Sequence, residues 1–184
     1  MESIKRNEHF IEPDPRSQSL GPPLETEYEL TTSYFRLHDG VPESVRSYMN
    51  MVVTLWLYGW LYYPFYPLAV FHSTAAVEVA LQERFPEKSG RGLQKLLKAA
   101  KDARLLTDAG FPSLQNRRQT EPAMAGAGAA APPEPAYANV LIATLPNLRN
   151  RFAHPEMHTI MPPGMSIDAL ILAAEIINQL WPAP

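Results

Sequence analysis

The chain carries one short run in which residue types and spacing suit a chemical step, Leu148-Arg149-Asn150-Arg151-Phe152-Ala153-His154-Pro155. Histidine titrates near neutrality and can take up or release a proton during a reaction. Arginine presents a fixed fork of donors that matches a phosphate whose charge is redistributing. Arg149 and His154 with Asn150 are therefore the candidate catalytic group for metal-independent cleavage of RNA. In that reaction a 2′-hydroxyl loses its proton and attacks the neighbouring phosphorus, and the 5′-oxygen leaves. Asn150 lies four residues before His154, so a helix would place both on one face, where Asn150 can orient the imidazole or hold the phosphate. Arg151 is a further phosphate-binding candidate.

The same residues also have purely structural roles open to them. Arg149 can form an ion pair with Glu78 or Glu175, and His154 can cap the carbonyls at the end of its own helix. Arg149 and His154 are five residues apart, about 140° around an ideal helix, so one helix does not bring the two together.

Other sites are excluded or weakly supported. There is no cysteine, which removes disulfides, thiolate metal sites and cysteine nucleophiles. Gly126-Ala127-Gly128 lies in low-complexity sequence with no strand before it, and no His-Glu-x-x-His pair is present. His154 and His158 have a metal-compatible spacing, but Pro155 interrupts any helix joining them. The expectation is no metal and no cofactor.

The elements that must position the run read as helices throughout. Residues 1–40 form an irregular N-terminal arm, interrupted by Pro13, Pro15, Pro22 and Pro23; a helical domain covers 41–184. Val41-Pro42-Glu43-Ser44 suits a helix start. From Ser47 to Val77 there is no Asp, Glu, Lys or Arg. Its tyrosines and the pair Pro64 and Pro67 predict two core helices broken near Tyr63–Pro67 in preference to a membrane span.

Gly90–Leu106 has Leu93, Leu96, Leu97 and Ala100 on one side and Arg91, Lys95 and Lys98 on the other. Such a basic stripe is either a solvated face or an RNA-phosphate contact, and Arg91, Lys95 and Lys98 are the candidates for the second role. Residues 119–136 are an Ala/Pro/Gly-rich loop with too few large apolar groups to offset its ordering. Tyr137–Ala153 resumes helical spacing, with Pro146 as a point of bending and Pro155 as the end. Ser166 is the expected N-cap of a last helix, with Asp168 in its first turn. The sum is an all-α bundle of four to five helices.

The 184 residues carry a net charge of −3, distributed unevenly. Residues 1–50 hold nine acids against five bases, whereas residues 84–118 hold nine bases against three acids. Contact with nucleic acid would need that local basic patch. The N-terminus lacks the apolar stretch of a signal peptide, so a cytoplasmic location without membrane association is expected.

The run "LRNRFAHP" resembles the hallmark of the HEPN (higher eukaryotes and prokaryotes nucleotide-binding) superfamily, an Arg followed after four to six residues by His, often with Asn directly after the Arg. "AAVEVALQERF" and "LQKLLKAAKDARLL" look like the earlier helices of that family, and "IDALILAAEIINQLWP" like its closing helix, so the likeness covers about residues 45–182. The resemblance implies a HEPN-type bundle and a homodimer in which the motifs of two subunits line one cleft. It implies an endoribonuclease of toxin or phage-defence type, with RNA as substrate and an antitoxin or another protein as possible partner. Glu78 is similar to a supporting acid in the earlier helices of some members. Two other expectations stand beside it: a non-catalytic HEPN module that binds nucleotide, RNA or protein, and a helical scaffold.

Overall fold

The computed structural model describes residues 11–18, 29, 32–113, 136–153 and 163–181, and all regular structure among them is helical. A single turn, α1 (Pro15–Gln18), precedes five longer helices: α2 (Glu43–Tyr58), α3 (Phe65–Arg84), α4 (Leu93–Asp102), α5 (Tyr137–Ala153) and α6 (Pro163–Leu180). The loop expected at 119–136 lies outside the described residues except for Ala136, and so does most of the arm.

Helix α3 is the axis of the bundle, because α2, α4, α5 and α6 all pack on it. Its buried positions include the small residues Ala69, Ser73, Thr74, Ala76 and Ala80, which let neighbouring helices pack close, alongside the larger Tyr66, Val70, Val77 and Leu81. Phe111, Leu96, Leu97, Leu170, Ile176 and Ile177 fill the space around it.

The uncharged segment from Ser47 to Val77 forms parts of two helices that bury against the bundle. Among the described residues no helix is long and apolar enough to cross a membrane. Two of its polar contacts tie the helices together inside the protein. The Trp56 indole N–H donates to Ser166 Oγ at 2.8 Å, and Tyr48 Oη and His72 Nδ1 are 2.9 Å apart. The break falls at 59–64, slightly before the expected one, because Pro67 sits in the first turn of α3, where no intrahelical amide is needed.

Two further boundaries differ from the sequence expectation. Helix α4 is shorter than Gly90–Leu106. Gly90 (φ 80°) turns the chain before it, and Arg104 (φ 58°) closes it in the left-handed conformation. The Leu105 N–H bonds Ala100 O and the Arg104 N–H bonds Lys101 O, a Schellman ending that normally selects glycine. Helix α6 begins at Pro163, so Ser166 is not its N-cap. Ser166 is buried inside the helix, donating to Pro163 O and accepting from Trp56.

The start of α5 is fixed from a distance. The two carboxylate oxygens of Asp108 accept the N–H groups of Tyr137 and Ala138 at 2.9 and 3.0 Å. A carboxylate there satisfies orphan amides and complements the helix dipole. Asp108→Ala should therefore lower stability by about 1–2 kcal/mol, measured by urea unfolding. An unchanged midpoint and slope would show that α5 does not depend on this cap.

Candidate RNA-phosphate site

Ala138, Leu141 and Leu145 bury one stripe of α5, and Arg149 follows it at the next helical repeat. The stripe faces α3 and α4, so Arg149 is directed to the seam between them, and Glu78 of α3 meets it there. Arg149 Nη2 lies 3.4 Å from Glu78 Oε2; the side chains are 39% and 21% exposed, respectively. Arg149 Nη1 also reaches Asn150 Oδ1 at 3.4 Å, and its Nε is buried with no hydrogen-bond partner among the described residues. Of the two structural partners open to Arg149, Glu78 is the one it meets. Glu175 instead holds Ser113, accepting its N–H at 2.8 Å and its hydroxyl at 2.7 Å.

A pocket of about 250 Å³ opens at this seam. Glu78 of α3 with Arg149 and Asn150 of α5 forms one group of its lining residues, and Lys95 with Gly92, Leu93 and Gln94 forms a second. The second group is the first turn of α4, whose N-terminus has no side-chain cap. The amides of a helix's first turn lack intrahelical partners and favour anions. Pro146 also lines the pocket. It removes from mid-α5 the amide that would bond the carbonyl of Ile142.

The structure thus brings together four of the sequence candidates: Glu78, Lys95, Arg149 and Asn150. Arg91 and Lys98 are exposed on the α4 side and Arg151 on the last turn of α5, but none of them lines the pocket. His154 lies outside the described residues.

Gly92 and Gln94 carry no role in the sequence expectation, and Pro146 enters it only as a point of bending. Gly92 directly before the apolar stripe of α4 was the available signal, since glycine there marks a helix start.

Two other features have less chemistry. An open groove of about 950 Å³ between the 32–39 stretch and α2 mixes Arg36 and Arg46 with Asp39 and Glu43, so neither sign of charge converges. The Tyr48–His72 pair bridges α2 and α3. Burial pushes the Tyr48 phenol up and the His72 imidazole down from their usual ranges, which keeps both neutral in a structural hydrogen bond. Among the described residues no group of three His, Asp or Glu is placed to hold a metal ion.

No family model, curated protein or solved structure matches the chain. What the site does is therefore read from its own chemistry.

Proposed function

We propose that the chain is a HEPN-like, metal-independent endoribonuclease of toxin or defence type, acting as a homodimer whose Arg149, Asn150 and His154 line a shared cleft. The observation that supports this reading is the convergence of Arg149, Asn150 and Lys95 on one pocket, directly upstream of His154. Arg149 and Lys95 neutralise the phosphate. Arg149 donates to its non-bridging oxygens as charge builds on them. His154 takes the proton of the 2′-hydroxyl and returns one to the departing 5′-oxygen. The products are a 2′,3′-cyclic phosphate and a 5′-hydroxyl. The exposed cations Arg91 and Lys98 extend the basic surface along α4, and Arg151 extends it on α5, for flanking phosphates.

Incubation of the purified protein with structured RNA in EDTA tests the reading. Fragments ending in 2′,3′-cyclic phosphate are expected from the wild type. Cleavage that disappears in EDTA, or ends in a 3′-hydroxyl, would reject this chemistry.

A second reading is a HEPN-like module that binds RNA without cutting it. The observation in its favour is that the pocket's one carboxylate, Glu78, is already paired with Arg149, which leaves the described part of the pocket equipped to hold phosphate. It predicts binding that weakens steeply with salt and yields no product.

A further inference from the structure

The arginine of this pocket is held in place but poorly satisfied. A guanidinium has five N–H donors and forms its strongest bonds to oxyanions at about 2.7–2.9 Å, often in pairs. Arg149 has one contact to Glu78 and one to Asn150, both 3.4 Å long, and its buried Nε–H has no partner among the described residues. Its exposure leaves the guanidinium open to a ligand from the pocket. Lys95, which lines the same pocket, is exposed and has no acidic partner among the described residues. Two cations thus share the pocket lining with one carboxylate, and the carboxylate makes a loose contact with one of them, Arg149.

The pocket's size and lining narrow what fits. Its volume of about 250 Å³ is that of roughly eight waters at about 30 Å³ each. None of its described lining residues is aromatic, so no ring is available there for a base to stack on. A phosphate group can enter this space and meet both cations, whereas a nucleobase finds no aromatic ring to stack on.

We infer that Glu78 is an internal stand-in for phosphate: one RNA phosphate enters between Lys95 and Arg149 and displaces the Glu78 carboxylate from the arginine. This rests on reading the pocket as a phosphate site and adds a competitor built into it. Glu78 keeps Arg149 oriented when the pocket is empty, and its displacement subtracts from phosphate affinity. The incoming phosphate offers the guanidinium several acceptor oxygens in place of one loose contact and brings Lys95 into the same ion cluster. Recognition at this position is of phosphate and is indifferent to the base attached.

The test is a titration of the full chain with inorganic phosphate against chloride at constant ionic strength, followed by NMR at the Arg149 Nε–H and the Lys95 amide. In the wild type both signals should shift saturably with one dissociation constant. Glu78→Gln should tighten that constant about threefold, the scale of a half-exposed ion pair, and Lys95→Gln should loosen it by a similar factor. If Glu78→Gln does not fold, Glu78→Asp, whose shorter side chain withdraws the carboxylate, should tighten binding in the same direction. Wild-type signals that do not saturate with phosphate would overturn the site. Unchanged or weaker binding in the folded Glu78 variant would overturn the displacement. Because binding is read without turnover, a protein that follows this pattern and cuts no RNA would sink the nuclease reading alone.

Discussion

Replacing His154 by Ala should lower RNA cleavage by about 10²–10⁴-fold, the usual contribution of a positioned proton-transfer group, while leaving the thermal transition in place. The specificity of the prediction lies in its contrast with Arg149. Arg149→Ala removes the phosphate fork and is expected to cost about 10²–10³-fold in single-turnover cleavage. It also strips Glu78 of its ion-pair partner at a half-buried position, so it should lower the melting temperature as well. Arg149→Lys keeps the charge and loses the paired donors, so stability should recover more fully than turnover. If His154 and Arg149 serve one transition state, the double variant will be far less impaired than the product of the single effects. Cleavage by His154→Ala within tenfold of wild type would remove the histidine from the mechanism. An equal loss of activity and of melting temperature in that variant would assign it a structural role.

How much of this was legible beforehand differs by residue. The amphipathic stripe of α4 was, because Leu93, Leu96, Leu97 and Ala100 recur at helical spacing and the opposite face is basic; those four are buried and Lys95 and Lys98 exposed. The span of α5 was also legible, but its partition was not. Val140 and Leu148 belong to the same apolar pattern as Leu141 and Leu145, yet both are exposed. Periodicity fixes a helix, and only the direction of its neighbours decides which side of a broad apolar stripe is covered. Arg149 and Glu78 are 71 positions apart by subtraction of their numbers, and their pairing depends on how α5 crosses α3, which no local pattern encodes. The Ser166 assignment failed for a related reason. Serine before an apolar run is a good N-cap signal, but Pro163 starts the helix earlier, and the hydroxyl answers the Trp56 indole from a helix more than a hundred residues away.

The arm presents the clearest case of long-range chemistry hidden in a locally irregular sequence, and the second large expected effect. Asp14 follows Pro13 and precedes Pro15, which reads as loop. In the structure its side chain is only 5% exposed, and its carboxylate accepts from the Arg16 N–H at 3.0 Å, Arg16 Nε and Nη2 at 2.9 Å, and the Tyr63 N–H at 3.0 Å. The Asp14 N–H bonds Trp60 O at 3.0 Å, and Arg16 lies over the Tyr63 ring at 4.8 Å. The turn α1 is thereby fastened to the corner between α2 and α3. Burial by itself raises the Asp14 pKa. The hydrogen bonds from Arg16 and from the Tyr63 amide, with the Arg16 charge, outweigh it and hold the group at about 2 instead of its ordinary 3.8. A carboxyl whose pKa is depressed on folding stabilises the fold above its unfolded value and loses that contribution as pH falls through the folded value. The difference corresponds to about 2 kcal/mol, present in full above about pH 5 and lost progressively toward pH 2. Asp14→Asn should therefore cost about 2 kcal/mol at neutral pH, and the gap between variant and wild type should narrow steadily below pH 4. Urea unfolding of both proteins across that range separates this group from the other carboxylates, whose titration is common to the two. A gap that stays constant with pH would mean that the arm is held by the hydrogen-bond geometry of Asp14 and not by its charge.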